Sequence, residues 1–149
     1  MSQQLAFLFP GQGSQSVGML AALAQNYAVV KQTFDEASQV LDVDLWAIVS
    51  DGPREELDQT YNTQPAMLSA GVAVWRVWRH LQGKLPEVMA GHSLGEYTAL
   101  VCAEAMAFKD AVRLVAERGR LMQQAVPPGE GAMAALLGLD DEQVRALCA

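Results

Sequence analysis

Gly91-His92-Ser93-Leu94-Gly95 constrains this chain more than any other stretch. A serine set among small residues at G-x-S-x-G spacing suits a backbone that turns sharply from strand into helix, and such a turn pushes the hydroxyl into the open. The flanks agree. Pro86-Glu87-Val88-Met89-Ala90 is a short apolar run opened by a proline, and Glu96-Tyr97-Thr98-Ala99-Leu100-Val101-Cys102-Ala103 reads as an apolar helix that opens with an acid. Strand, elbow and helix are therefore expected in that order, in an α/β chain.

With 149 residues and 51% hydrophobic content, the chain can bury one core. A net charge of −7 argues against a nucleic-acid surface, since phosphate backbones are bound by clustered Lys and Arg, and against an anionic membrane for the same reason. No apolar run approaches the roughly 18 residues of a membrane span. Met1-Ser2-Gln3-Gln4 has neither the basic nor the apolar region of a signal peptide, so a cytoplasmic location is expected. Cys102 and Cys148 lack C-x-x-C spacing and a histidine at metal-ligand distance. Both read as reduced structural thiols, and no metal or cofactor is expected.

Leu5-Ala6-Phe7-Leu8-Phe9 is a continuous apolar run, the pattern of a strand buried on both faces, and Pro10-Gly11 ends it. Gly11-Gln12-Gly13-Ser14-Gln15-Ser16 departs from the dinucleotide fingerprint, because Ser16 stands where the third glycine belongs and Gly18 comes two residues late. Glycines just after a parallel strand also suit a loop that turns backbone N–H groups toward a developing negative charge, with Gln12 between them. Residues 19–41 read as one helix with Phe34, Ala37, Val40 and Leu41 facing a core. Residues 45–49 form a short apolar segment with a structural role. At Asn62-Thr63-Gln64-Pro65, a capping side chain before a proline predicts the start of a helix running to about residue 81. Met67, Gly71, Val74, Trp78 and Leu81 should share its buried face, leaving His80 beside Arg76 on the surface.

A further helix is expected over residues 109–125, with Ala111, Val115, Met122 and Ala125 on its buried side and Leu114 and Leu121 at the edge. Arg118 falls in the middle of that side. A guanidinium there is costly unless paired, so it should meet an internal carboxylate or an anionic ligand, or else snorkel past the core. Residues 127–131 are a linker by composition, residues 132–139 read as a strand, and Asp140 to Gln143 has capping-box spacing. The helix so opened runs barely two turns to Ala149 without a C-cap signal, so the chain is expected to stop inside a second structural unit.

These motifs together resemble the malonyl-CoA:acyl carrier protein transacylases of fatty acid synthesis, the bacterial free-standing form in particular. The likeness rests on Phe9-Pro10-Gly11-Gln12-Gly13-Ser14-Gln15, Thr63-Gln64-Pro65-Ala66, the elbow with Glu96-Tyr97, Arg118-Gly119-Arg120-Leu121-Met122-Gln123 and Ala132-Met133-Ala134-Ala135. It implies that Ser93 is a nucleophile that takes a malonyl group from malonyl-CoA and passes it to the phosphopantetheine thiol of acyl carrier protein. It implies an oxyanion hole from the N–H groups of Gln12 and Leu94, Arg118 as clamp on the malonyl carboxylate, and Gly91, His92 and Gly95 as supports of the elbow.

The implied fold is an α/β-hydrolase-like parallel-sheet core over residues 1–126, the linker 127–131, and the start of a ferredoxin-like small subdomain over residues 132–149. The family's base histidine falls beyond residue 149, so the chain by itself is expected to be a nearly inactive N-terminal half. Carrier protein would need a basic patch, for which Arg76, Arg79 and Lys84 are candidates. A serine esterase or thioesterase shares the elbow, a polyketide synthase acyltransferase domain shares the scheme, and a non-catalytic binding module would fit a chain without its base.

Overall fold

The first apolar run forms β1 (Ala6–Phe9) and the run before the elbow forms β2 (Val88–Gly91), in a computed structural model that describes residues 4–126, 130 and 136–148. The strands pair in parallel, with Ala6 opposite Val88 and Phe9 opposite Gly91. Parallel neighbours need a long crossover. Here it carries α1 (Ala21–Asn26), α2 (Ala28–Leu41), α3 (Leu45–Ser50), α4 (Arg54–Leu57) and α5 (Thr60–His80). After β2 come α6 (Leu94–Cys102), α7 (Phe108–Ala125) and α8 (Asp141–Cys148).

Alternation along the strands sorts their side chains. Phe7 and Phe9 turn toward the helices, where the Phe7 ring meets Trp75 and Trp78 of α5 edge-on at 5.3 and 5.5 Å. The other face is open: Leu8 is 78% and Val88 59% exposed. The expectation of a strand buried on both faces is thus corrected. A parallel strand is covered twice only where helices lie on both sides of its sheet, and the described helices pack on one.

The core lies between α2, α5 and α7, with Phe34, Leu45, Leu57, Leu68, Val112 and Val115 fully buried. Each such side chain contributes roughly 1.5–3 kcal/mol relative to exposure. Residues 62–70 of α5 are buried without a break, so this is the central helix. Its start differs from the expectation. Gln59 precedes the first turn, and Pro65 lies inside the helix. Asn62 and Thr63 do not cap it; Asn62 Nδ2 donates to Glu56 O at 3.0 Å and Thr63 Oγ1 to Leu57 O at 2.6 Å, which ties α5 to the turn before it. Val74 and Leu81 are exposed, because the stripe they belong to flanks the sheet while the buried contacts to α2 and α7 come from other faces.

The helix expected over residues 19–41 breaks at Tyr27, which is extended (φ −134°, ψ 102°). The break re-aims α2 so that Val30, Thr33, Phe34 and Ala37 are buried. In α7 the buried line is Phe108, Ala111, Val112, Val115 and Gly119, and Leu114, Leu121, Met122 and Ala125 are exposed. Gly119 explains the rotation: a Cβ there would stand 2.6 Å from Thr60 O, so α7 and α5 touch backbone to backbone along that line.

The capping box is present, with Gln143 N donating to Asp140 Oδ1 at 2.9 Å and Asp140 N to Gln143 Oε1 at 3.1 Å. Of the strand expected over residues 132–139, residues 132–135 lie outside the described residues and 136–139 form no strand. The linker expected at 127–131 lies outside them except for Glu130.

Candidate functional site

β2 ends at Gly91 and α6 begins at Leu94, so two residues make the whole turn. Ser93 holds φ 54° and ψ −106°, a conformation that side-chain-bearing residues seldom adopt. Two glycines make so tight a turn possible. A Cβ on Gly91 would lie 1.9 Å from the Gly95 carbonyl carbon, and one on Gly95 would lie 2.1 Å from Phe9 O. The elbow is thereby pressed onto the end of β1, and His92 N donates to Phe9 O at 3.1 Å.

Ser93 and His92 are both exposed. Ser93 makes no side-chain cap to α6, which leaves its hydroxyl available. Its oxygen accepts a hydrogen bond from Arg118 Nη2 at 2.9 Å. Arg118 Nη1 donates to Gln64 Oε1 at 2.8 Å, and the guanidinium carbon stands 5.7 Å from the centre of the Tyr97 ring. Among the described residues no carboxylate pairs with Arg118; the ion pairs there are Arg54–Asp58, Arg76–Glu36, Arg113–Asp110 and Arg120–Glu117. Rotation of α7 puts Arg118 at the margin of the buried face rather than in its middle, half-buried and aimed at the elbow.

The glycine-rich loop lies against the same turn. A Cβ on Gly11 would be 2.8 Å from both His92 Nδ1 and His92 O. His92 therefore packs on the loop. The Gln12 side chain turns to Thr60 Oγ1 at 3.3 Å, and Gln15 links Gly13 N to Asp58 Oδ1, both at 2.8 Å. The hydrogen bond from Gln15, reinforced by Arg54, holds the Asp58 carboxyl below the usual carboxylate range. The backbone N–H groups of Gln12 and Leu94 have no hydrogen-bond partner among the described residues.

Of the residues singled out in the sequence, Ser93 and Arg118 are brought into contact and Gly91, Gly95, Gly11 and His92 pack into one turn. Arg76 is not available to a basic patch. It pairs with Glu36 at 2.9 Å, donates to Thr33 Oγ1 and lies over the Phe108 ring. His80 is exposed, as expected. No group of His, Cys, Asp and Glu among the described residues could hold a metal ion. A cavity of about 640 Å³ lined by Val40, Leu41 and Tyr61 among others contains neither Ser93 nor Arg118.

Gln64 and Tyr97 had no assigned role in the sequence, although both stand in the motifs that carry the resemblance. The available signal was a glutamine placed just before a proline in an otherwise apolar helix, where a polar side chain needs a partner.

A serine held at positive φ between a parallel strand and a helix is the geometry in which α/β serine enzymes present a nucleophile. The chain belongs to the acyl transferase domain family, which it matches over residues 6–149. It is 61% identical over 145 residues to the malonyl CoA-acyl carrier protein transacylase of Salmonella typhimurium, covering 97% of this chain and 47% of that protein.

Among solved structures, an acyl carrier protein S-malonyltransferase from Vibrio cholerae superposes with a TM-score of 0.90 at 63% identity, covering 98% of this chain and 48% of that one. A malonyl-transacylase in complex with a type II PKS acyl-carrier protein gives 0.92 at 60% identity, covering 98% and 47%. The chain spans about half the length of the relatives it matches.

Proposed function

We propose that the protein to which these residues belong transfers a malonyl group from malonyl-CoA to the phosphopantetheine thiol of acyl carrier protein, in fatty acid synthesis, through an acyl-enzyme on Ser93. The observation that carries this reading is the pairing of Ser93 with an arginine that lacks a carboxylate partner among the described residues. A half-buried guanidinium needs an anion, and the malonyl group brings a free carboxylate that a bidentate fork can hold at a fixed distance from the serine. The names of the relatives support the substrate and the carrier.

In the first half-reaction Ser93 Oγ attacks the thioester carbonyl while a base takes its proton. The bond to sulfur then breaks, coenzyme A leaves as the thiol, and malonyl remains as an ester on Ser93. The second half-reaction repeats the sequence with the carrier thiol as nucleophile and Ser93 as leaving group. The N–H groups of Gln12 and Leu94, which have no hydrogen-bond partner among the described residues, are assigned to the oxyanion, as donors that meet charge only when it develops. Gly91, His92 and Gly95 support the turn. The base is assigned to a histidine in the part of the longer relatives that this chain does not span.

Residues 1–126 are assigned to an α/β-hydrolase-like core, residues 127–131 to a linker and residues 132–149 to the start of a ferredoxin-like subdomain. Malonyl-CoA enters as substrate, with no separate cofactor, and the location is assigned to the cytoplasm. Among the described residues no helix is long and apolar enough to cross a membrane.

Arg118→Ala in the full-length enzyme tests the reading. Loss of a charge-assisted pair of about 2–3 kcal/mol should lower kcat/KM for malonyl-CoA by about 30- to 150-fold, while acetyl-CoA is not slowed. An unchanged preference for malonyl over acetyl groups rules the clamp out.

A further inference from the structure

Resting on the assignment of Arg118 as the carboxylate clamp, we propose that Gln64 is the positioning residue that sets this site's selectivity for charged acyl groups. Its amide oxygen is the fixed, uncharged anchor of the Arg118 guanidinium. Gln64 is fully buried in the central helix α5. Its Oε1 accepts from Arg118 Nη1 at 2.8 Å, and its Nε2 donates to Met122 Sδ at 3.2 Å, so both ends of the amide are engaged. Amide orientation is thereby fixed, with oxygen toward the arginine.

Neutrality is the point of this arrangement. A guanidinium has five N–H donors and no acceptor. One is committed to Gln64 and one to Ser93 Oγ, which leaves donors for a carboxylate. A glutamate in place of Gln64, the same length, would hold Arg118 equally well but would cancel its charge inside the protein. Substrate carboxylate would then meet a neutral pair. The amide gives direction without consuming charge, so the full attraction of the cation is reserved for the ligand.

The two partners of Arg118 also differ in permanence. Gln64 is buried and cannot leave, whereas Ser93 is exposed and its bond can be exchanged. A carboxylate arriving in the fork takes Nη2 from the serine oxygen. The lone pair that accepted that bond becomes free for attack while Nη1 keeps its anchor. An acyl group without a carboxylate leaves the arginine on the nucleophile, so discrimination acts on reaction at Ser93 as well as on binding.

Gln64→Glu in the full-length enzyme, assayed with malonyl-CoA and acetyl-CoA side by side, is the test. The expected result is a fall of about 30-fold or more in kcat/KM for malonyl-CoA, with acetyl-CoA changed by less than about threefold, so that the preference collapses. A structural defect would lower both substrates together. Met122→Leu, at a 39% exposed position, removes the acceptor that fixes the amide and should erode the same preference about threefold.

Preference retained in the glutamate variant overturns the proposal, as does preference retained in Met122→Leu if the glutamate variant does not fold. Arg118→Ala distinguishes the two levels. If it abolishes the preference and the Gln64 and Met122 variants do not, the clamp stands and the anchor falls. If it too leaves the preference intact, the clamp itself is wrong.

Discussion

Cys102 and Cys148 show how far position alone separates two residues of one type. Cys102 is 3% exposed on α6, whereas Cys148 is exposed on α8, and neither forms a disulfide. Burial pushes the Cys102 thiol up to about 12, against a smaller opposing pull from the Arg76 charge. Since the native pKa lies above the unfolded one, this thiol favours the fold fully below the ordinary thiol range of about 8.5, and that contribution is lost as pH climbs toward the native value. At pH 8 a disulfide reagent should therefore label Cys148 quickly and Cys102 only after denaturant is added. Rapid labelling of both thiols in the native chain would show that α6 opens far more readily than its packing implies.

Arg118 shows what a helical wheel can and cannot tell at this scale. The wheel marked the side chain as one that needs a partner, which is a statement about charge and burial. It could not name Gln64 or Ser93, because those residues are 54 and 25 positions away and meet it only through tertiary packing.

Helices set the accuracy with which the site is held. Gly119 brings α7 close to α5, with Thr60 O at 2.6 Å and Tyr61 Cα at 2.7 Å from the place a Cβ would occupy. Both are backbone atoms, so no rotamer change can make room. Gly119→Ala should force the helices apart and cost about 1–3 kcal/mol, read as a lowered denaturation midpoint. Because Arg118 is the preceding residue, the same shift in the full-length enzyme should lengthen its reach to Gln64 and weaken the proposed malonyl transfer beyond the loss of folded protein. A stable, fully active Gly119→Ala variant would mean that the two helices can slide.

The same packing accounts for which elements were legible. The elbow, the strand and helix beside it, the extent of α7 and the α8 cap follow from local chemistry: glycine contacts, apolar runs and a reciprocal capping box. The break at Tyr27, the early start of α5 and the rotation of α7 do not. Each is decided by contacts between helices, and hydrophobic period reports neither one residue's backbone angles nor a proline that tertiary burial carries inside a helix.

At the scale of the whole molecule, the candidate site lacks a proton acceptor for Ser93 among the described residues. Ser93 has an arginine beside it and sits in a tightly packed turn, yet its oxygen accepts a hydrogen bond from Arg118 and its own O–H has no acceptor among the described residues. His92 is taken up by its packing against Gly11. The open face of the sheet, with Leu8 and Val88 exposed, lies on the same parallel pair that carries the elbow. Both features fit a protein about twice as long, as the relatives are.

Loss of the histidine from a serine triad costs up to about a millionfold in turnover, while an oxyanion hole and binding alone keep about a thousandfold over water. Mixed with malonyl-CoA, the 149-residue chain should form no detectable ester on Ser93 within seconds, whereas the full-length enzyme should give a stoichiometric burst at that residue, both followed by intact mass. A burst from the chain alone would place a competent base within it, and His92 would then be the residue to reconsider.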